Sequence, residues 1–279
     1  MRRSLLLAAL VLFAVPQLHA GPWIKSVATA QKKAKDGKRL IFVDLFADWC
    51  GWCHKMEQEV FPSEAFQKAT DDMVLLRLNT EDGGEGTQLA QRFSVHTLPT
   101  FLVLTHDMSV AGVIRGYAPA TEFVESLKNV QKQHNDFQKR VADEASIAGD
   151  YQKRLDLARD FTQRFALTQS ESRLKKLVAE KGAPDAIRDQ AYYELAVSQV
   201  LQKKYADSLK TINAFGKIET KGEAYEHARL LAGQIYMEQG NILGAANEFR
   251  NFKASFPNSP LVKNVDMVLP DLERRLARR

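Results

Sequence analysis

Cysteine is almost absent from this sequence: Cys50 and Cys53 are the only two among 279 residues. Because they lie within one helical turn of each other, a bridge between them would close almost no loop and would stabilise the fold little. A framework of disulfides that links distant segments is therefore excluded. The pair follows an apolar run that begins at Ile41. Two cysteines separated by two residues, where a strand meets a helix, indicate a redox pair.

Long apolar runs are also scarce. The longest extends from Leu5 to Val15 and is shorter than the roughly 20 residues that a membrane span requires. Arg2 and Arg3 precede it, and Leu18-His19-Ala20 offers a cleavage site before Gly21. This pattern predicts a signal peptide over residues 1–20. We therefore expect an exported, periplasmic protein that has no membrane span once the signal is removed.

A strong excess of one charge is lacking as well. The chain has 39 Lys and Arg against 34 Asp and Glu, and two of the positive charges belong to Arg2 and Arg3. The remaining excess is small and spread along the sequence, so no nucleic-acid partner is predicted. The composition is that of a folded globular protein, and the length suits about two domains.

The first half of the chain alternates between helical and strand patterns. Helical spacing predicts a helix over Trp23–Asp36, and an apolar run predicts a buried strand over Leu40–Phe46. A helix over Gly51–Lys68, kinked at Pro62, is expected next. The later predicted elements are a strand, a short helix, a hairpin and a helix: Met73–Leu78, Thr87–Phe93, Thr100–Leu104 with Val110–Ile114, and Pro119–Gln133. This order predicts an α/β domain with a mixed sheet and helices on both faces.

Two segments of the first half stand out: Val43-Asp44-Leu45-Phe46-Ala47-Asp48-Trp49-Cys50-Gly51-Trp52-Cys53 and Thr97-Leu98-Pro99-Thr100. The first resembles the strand and active-site turn of the thioredoxin superfamily, and the second resembles its cis-proline loop. The resemblance extends over residues 21–134. The segment Ala47–Cys50, with Val60-Phe61 after it, is especially similar to the periplasmic C-terminal domain of the reductant conduit DsbD. Gly51-Trp52 differs from the Gly-Pro of thioredoxin and the Pro-His of the DsbA oxidants, so the direction of electron flow stays open.

Cys50 is the predicted nucleophile. It precedes a helix, where unpaired backbone N–H groups and the helix dipole stabilise a thiolate. Cys50 would attack a substrate disulfide to give a mixed disulfide, and Cys53 would then release the reduced substrate by attacking Cys50. The reverse sequence would oxidise a dithiol. Both residues are therefore predicted to be catalytic and to form a redox-active disulfide.

Asp44 is the second predicted catalytic residue. Its neighbours Val43 and Leu45 are apolar, so the carboxyl is expected to be buried and its pKa raised toward neutrality. Such a group suits proton transfer with Cys53. The thioredoxin resemblance, which has an aspartate at this step, implies the same role. The alternative is a partly exposed strand carboxylate without a role.

Pro99, Leu98 and Trp52 are predicted to shape the substrate site. The resemblance implies a cis bond before Pro99 and a loop beside the cysteines. The backbone of Leu98 would then pair with an extended substrate segment. Trp52, together with Trp49, would supply an apolar rim, although ordinary packing is the alternative for both.

Two other chemistries compete for the same cysteines. Cys50-Gly51-Trp52-Cys53-His54 also fits the attachment signature of c-type haem, with His54 as an axial ligand. The apolar strand before the motif and the distant Pro99 loop favour the thioredoxin-like interpretation. A zinc site is disfavoured because no second cysteine pair exists and His96 and His106 are scattered. No metal or cofactor is therefore predicted.

The second half of the chain has only helical periodicity. Residues 145–279 resemble tetratricopeptide-like helical repeats, most clearly over Glu226–Ser259. The anchors of that unit are Ala232, Gly233, Tyr236, Gly240, Ala245, Phe249 and Pro257. An earlier copy carries Tyr192, Leu195, Ala196, Tyr205, Ser208 and Ile212, and a fainter one surrounds Leu157-Ala158. The small residues Ala158, Ala196 and Gly233 lie 38 and 37 residues apart, and Asp266–Arg278 is predicted to be a capping helix.

These features predict an exported thiol–disulfide oxidoreductase that reduces protein disulfides. Its expected partners are disulfide-bonded proteins, a membrane reductant donor of the DsbD type, and a protein or peptide bound by the helical repeats. The repeats could instead only pack on the first domain or dimerise it. A second hypothesis makes the chain a non-catalytic binding module or a redox sensor.

Overall fold

The structure, a computed structural model, describes residues 22–218 and 222–278. The chain divides into two compact units. The first contains the chain up to Asp107 together with Val113–Gln131, and the second contains Met108–Gly112 together with the chain from Lys132 onward. The predicted signal peptide, residues 1–20, lies outside the described residues.

The first part of the chain forms a mixed sheet with helices. Its elements are α1 (Val27–Gly37), β1 (Ile41–Phe46), α2 (Gly51–Lys55), α3 (Glu64–Thr70), β2 (Val74–Asn79), α4 (Glu85–Arg92), β3 (Thr100–Leu104), β4 (Val110–Arg115) and α5 (Ala120–Ala142). The strand order is β2-β1-β3-β4, with β1 parallel to β2 and antiparallel to β3. The predicted α/β fold with a mixed sheet is confirmed.

Strand β1 lies at the centre of the core. Every residue from Ile41 to Leu45 is buried, so both faces of the strand are covered. Phe42 is surrounded by the rings of Phe66, Phe101 and Phe123, with centroid distances of 5.4, 5.6 and 6.1 Å. Aromatic packing of this kind contributes beyond simple area burial, and it fixes the strand that leads into the two cysteines.

The predicted helix over Gly51–Lys68 is broken in the structure, so that part of the prediction was wrong. Helix α2 ends at Lys55, and one π-helical turn, Met56–Val60, follows it. After Pro62, Ser63 caps the new helix α3 with its side-chain oxygen. Proline has no N–H to continue the helical ladder, and the serine satisfies the first donors of a new helix. The chain therefore starts a second helix instead of bending one.

Helix α5 continues beyond its predicted end at Gln133 and extends to Ala142. Its residues up to Gln131 belong to the first unit and the remainder to the second. Phe137 and Val141, four residues apart, pack in a cluster with Phe161 in the second unit. The boundary between the two units therefore falls within a helix, whereas the sequence had suggested a connection after residue 134.

The second unit is entirely helical over its described residues beyond α5. A 3-10 turn, Glu144–Ile147, precedes α6 (Tyr151–Gln163), α7 (Leu167–Ala179), α8 (Asp185–Leu201), α9 (Tyr205–Phe215), α10 (Glu223–Glu238), α11 (Ile242–Ser255) and α12 (Val262–Ala277). Helix α12 starts before the predicted Asp266 because Val262 and Val265 also pack in the last core cluster. Within residues 22–218 and 222–278, no helix combines the length and apolar character needed to cross a bilayer.

The turns between paired helices repeat one backbone conformation. Phe165, Lys203 and Gly240 have φ values of 55°, 58° and 69° and lie between α6 and α7, α8 and α9, and α10 and α11. They are 38 and 37 residues apart, as are the predicted anchors. In each turn the next residue donates its N–H to a carbonyl five residues earlier, at 2.9 Å. These helices form helical-hairpin repeats.

The predicted small-residue anchors are the contact points of the paired helices. Ser170 Oγ donates to the carbonyl oxygen of Ala158 at 2.9 Å, and Ser208 Oγ donates to that of Ala196 at the same distance. In the third pair, a Cβ added to Gly233 would lie only 2.3 Å from the Phe249 ring. The small residues therefore allow the second helix of each pair to approach the first.

Candidate active site

The two cysteines lie at the start of α2 and are joined by a disulfide, with Cα atoms 5.2 Å apart. Cys50 is the N-cap residue of α2, and its Sγ accepts a hydrogen bond from the Cys53 N–H at 3.2 Å. The free N–H groups of the first turn therefore point toward Cys50, which is where a thiolate gains stabilisation. Cys50 and Cys53 are 3% and 1% exposed.

The predicted loop at Pro99 lies against this pair. The Leu98–Pro99 peptide bond is cis, as the thioredoxin resemblance implied. The side chain of Leu98 packs in one cluster with Cys50 and Cys53. The structure therefore brings Leu98 into contact with Cys50 and Cys53, and Pro99 follows Leu98 directly in the chain.

Asp44 is buried within β1 at 1% exposure. Burial raises its pKa from 3.8 to about 7, and the positive charge of Arg77 only partly opposes this effect. Neither carboxyl oxygen has a hydrogen-bond partner, although Arg77 Nε lies 3.1 Å from Oδ2. The N–H of Arg77 is thus close to the carboxylate but not aimed at it. Asp44 is therefore a buried acid that exchanges its proton near neutral pH.

Arg77 is shared between Asp44 and a second carboxylate, Glu57. In the register of the sheet Arg77 on β2 is directly opposite Asp44 on β1. Its two terminal nitrogens donate to Glu57 at 2.6 and 2.9 Å, a bidentate geometry that fixes the guanidinium plane. This hydrogen bond lowers the pKa of Glu57 and keeps it ionised. The negative charge of Glu57 in turn raises the pKa of Asp44.

A cleft of about 500 Å³ lies on the solvent side of Arg77. Its walls include Glu57, His54, Asp48 and Trp23. Asp44 itself has almost no solvent exposure, whereas the Arg77 side chain is partly exposed. The cleft therefore brings solvent to the outer side of the Asp44–Arg77 pair.

The two tryptophans of the motif stand on the surface. Trp49 is 69% exposed, and its indole N–H donates to Glu81 Oε1 at 2.8 Å. Trp52 is 58% exposed and stacks on Tyr117 at a centroid distance of 5.3 Å. Neither indole serves the core, so packing alone does not account for them. Their role as an apolar rim for substrate stays a prediction.

The haem alternative gains no support from the geometry. Both sulfurs are used by the disulfide, so neither is available for a thioether bond. A ring nitrogen of His54, Nε2, lies 2.9 Å from the Asp48 carbonyl oxygen, to which it donates, and Nδ1 lies 3.9 Å from Glu57 Oε2. Among the described residues, no cluster of three or more His, Cys, Asp or Glu is arranged to hold a metal ion.

Arg77, Glu57 and Tyr117 are site residues that the sequence prediction missed. Arg77 had a signal, because it is the only charge in a buried apolar strand, as Asp44 is in the neighbouring strand. Glu57 lies one helical turn after Cys53, but its partner could only be found from the strand register. Tyr117 had no signal of its own, since its contact with Trp52 joins segments 65 residues apart in the chain.

Comparisons with known proteins agree with this geometry. Residues 27–131 match the family described as thioredoxin-like domain. The chain is 30% identical over 112 residues to the thiol:disulfide interchange protein DsbD of Actinobacillus pleuropneumoniae, covering 38% of this chain and 19% of that protein. DsbD of Pasteurella multocida is 32% identical over 104 residues, which are 36% of this chain and 18% of the relative. The chain thus spans about a fifth of the length of these relatives.

A solved structure of the DsbD C-terminal domain of Neisseria meningitidis, in the oxidised form, aligns over 39% of this chain and 98% of that domain. The sequence identity is 18% and the TM-score is 0.34. The mixed sheet lies within residues 27–131. These residues match the thioredoxin-like domain family, and the bonded Cys50–Cys53 pair at the start of α2 lies within the matched segment.

Proposed function

We propose that this protein is an exported reductase of protein disulfides that works through the Cys50–Cys53 dithiol. The observation that carries the proposal is the bonded pair at the start of α2, with Cys50 as the N-cap residue. The similarity to DsbD, a thiol:disulfide interchange protein, supports disulfide exchange at this pair. The reductive direction is proposed from the resemblance of Ala47–Cys50 to the reductant conduit. A protein dithiol donor of the DsbD type at the membrane would return the pair to the reduced state.

The reaction begins when the Cys50 thiolate attacks one sulfur of the substrate disulfide. A bond forms between Cys50 and that sulfur, and the other substrate sulfur leaves as a thiolate that takes up a proton. Cys53 then loses its proton and attacks Cys50 Sγ, which releases the second substrate thiol and closes the Cys50–Cys53 bond. Two electrons and two protons have passed to the substrate.

Asp44 acts as the proton acceptor for Cys53 in this scheme. A carboxyl with a pKa of about 7 is ionised often enough at neutral pH to accept the thiol proton and protonated often enough to return one. Leu98, packed against the pair, would present its backbone to an extended substrate segment. Trp52 would contact the same segment.

Insulin reduction tests the reductase proposal. We expect the purified protein to reduce insulin with a suitable thiol donor, and Cys50→Ser to abolish the activity. Cys53→Ser should retain the first step and accumulate a mixed disulfide with the substrate, which mass spectrometry detects. Unchanged turnover by Cys50→Ser would contradict the mechanism. If the wild type were inactive although its disulfide can be reduced, the redox-sensor hypothesis would replace it.

Export is proposed from residues 1–20, which have the charged start and apolar run of a signal peptide. Expression of the full chain, followed by cell fractionation and N-terminal sequencing, tests this. The expected product begins near Gly21 and is found in the periplasm. A cytoplasmic product that retains Met1 would contradict export.

The helical repeats are proposed to bind a protein or peptide partner. A cavity of about 490 Å³ there is lined by residues of α6, α8 and α10, among them Arg159, Tyr193 and His227. Substrates trapped by Cys53→Ser in a periplasmic extract should change in identity or amount when Tyr193→Ala is added. An identical set of trapped proteins would favour a purely structural role for the repeats.

A further inference from the structure

The indole of Trp52 lies between the two cysteines in sequence and remains 58% exposed. One part of it stacks on Tyr117 at 5.3 Å, with 29° between the ring planes. A tryptophan that served only packing would be buried, and this one is not. The open part of the indole is therefore a flat apolar surface next to Cys50.

Tyr117 is fixed in place from two directions. The N–H of Gly116 donates to the carbonyl oxygen of Pro99 at 2.9 Å, which ties the start of this segment to the cis-proline loop. The hydroxyl of Tyr117 donates to Glu59 Oε2 at 2.5 Å, which ties its far end to the turn after α2. Tyr117 therefore connects the two segments that border the disulfide.

Lys55 completes the arrangement. Its Nζ lies 4.7 Å from the centroid of Tyr117 and 5.5 Å from that of Trp52, within the range of cation–π attraction. The same nitrogen is 3.8 Å from Glu59 Oε1. The stack is thus held in one orientation before any substrate arrives, so little conformational entropy is lost when a ring is added to it.

We infer that Trp52 and Tyr117 form a subsite for an aromatic side chain next to the substrate cysteine that Cys50 attacks, and that Tyr117 determines this preference. The inference rests on the proposed reductase function. A third ring can extend an offset stack, and aromatic pairs gain more than their buried area alone provides.

Matched disulfide peptides test this subsite. Two peptides would carry Phe or Ala beside the cysteine of the same disulfide, and kcat/KM for their reduction would be measured. We expect the wild type to prefer Phe over Ala by roughly 3- to 10-fold, as expected for one aromatic contact. In Tyr117→Ala the ratio of Phe to Ala should fall to about one.

Tyr117→Phe is the matched control, because it keeps the stacked ring and removes only the hydrogen bond to Glu59. It should retain most of the preference. Equal rates for the Phe and Ala peptides in the wild type, or a preference that survives in Tyr117→Ala, would overturn the inference. Insulin reduction separates this outcome from failure of the proposed function: a wild type that reduces insulin but does not distinguish the peptides contradicts only the subsite, whereas a wild type that does not reduce insulin contradicts the reductase proposal.

Discussion

The pKa of Asp44 depends on Glu57, which reaches it through Arg77. The carboxyl of Asp44 is buried, and the positive charge of Arg77, whose Nε lies 3.1 Å from Oδ2, lowers the pKa of Asp44 only in part. Glu57 binds the terminal nitrogens of the same guanidinium, and its negative charge raises the pKa of Asp44. Glu57 therefore helps keep this pKa near 7, which suits the proton transfer that we propose for Cys53.

Asp44→Asn is expected to stabilise the oxidised protein at high pH. The folded state raises the pKa of Asp44 from 3.8 to about 7. Its favourable contribution is therefore complete below pH 3.8 and is lost as the pH rises to 7. Asparagine does not ionise, so the free energy of unfolding should increase by on the order of 4 kcal/mol above pH 7 and change little below pH 4.

Urea unfolding followed by tryptophan fluorescence measures this effect, because all three tryptophans, Trp23, Trp49 and Trp52, belong to the first unit. Wild type and Asp44→Asn would be compared at pH 4 and pH 8. Equal stabilities at pH 8 would show that Asp44 is not the buried acid described here.

Glu57→Gln is expected to lower the pKa of Asp44 below 7. The substitution removes a negative charge that raises this pKa and loosens the hold on Arg77. Carbon-detected NMR titration of the Asp44 carboxyl measures the value, and the pH profile of insulin reduction should shift toward lower pH with it. Glu59→Gln is the control, since Glu59 lies on the same turn but contacts Tyr117. Equal pKa values in both variants would contradict the role given to Glu57.

At the scale of elements, the helical repeats are joined by polar contacts as well as apolar ones. Glu171 on α7 is buried and accepts hydrogen bonds from Lys204, Gln202 and Gln199, besides an ion pair with Lys175. These partners extend from α7 to the turn before α9. One carboxylate thus connects the first two helix pairs.

The second unit is expected to lose stability as the pH falls from 4.5 to 2. Burial acts to raise the pKa of Glu171, but its hydrogen bonds outweigh burial and lower the pKa to about 2. A lowered pKa stabilises the fold above 4.5, and this stabilisation is lost as the carboxylate is protonated. The loss should be on the order of 1–2 kcal/mol, because Lys175 and Lys204 are themselves largely exposed and solvent screens their charges. Helical circular dichroism during urea unfolding measures it.

Glu171→Gln should lower the free energy of unfolding by a similar amount already at pH 7. Its stability should then change less as the pH falls from 4.5 to 2. Glu238→Gln, which changes an exposed glutamate of α10, is the matched control. It should leave both the stability at pH 7 and its dependence on pH unchanged. If the two variants had the same stability at pH 7, Glu171 would not be the connecting residue.

Gly233→Ala is expected to destabilise the α10–α11 pair by about 1–3 kcal/mol through overpacking. An added Cβ would lie 2.3 Å from the Phe249 ring, so the two helices would have to separate. Gly149→Ala, where a Cβ meets nothing within 4 Å, is the control. Thermal unfolding followed by circular dichroism compares them, and equal midpoints would contradict close packing at Gly233.

At the scale of the whole molecule, the sequence predicted those site residues that stand out from their immediate neighbours in the chain. Cys50, Cys53 and Asp44 were identified because each departs from its immediate surroundings: a cysteine pair in a chain otherwise without cysteine, and a carboxylate in an apolar strand. Pro99 and Leu98 came from the thioredoxin resemblance. The repeats of the second half were visible because small residues recur at a fixed interval.

The remainder depended on contacts between distant segments. Glu57 acquires its role only through the register that sets Arg77 opposite Asp44. Tyr117 acquires its role through Trp52, and no local pattern links the two. The length of α5 was underestimated because Phe137 is a single buried ring whose partners lie further along the chain. Periodicity within a segment does not contain this information.

The reduction potential of the Cys50–Cys53 pair tests the central claim most directly. It is obtained by equilibrating the purified protein with glutathione or dithiothreitol buffers and measuring the fraction of each redox form. A reductase requires a reducing potential, near that of thioredoxin at about −270 mV, and this is the result we expect. A value near that of the oxidant DsbA, about −120 mV, would mean that electrons flow from the substrate to the protein and would contradict the account.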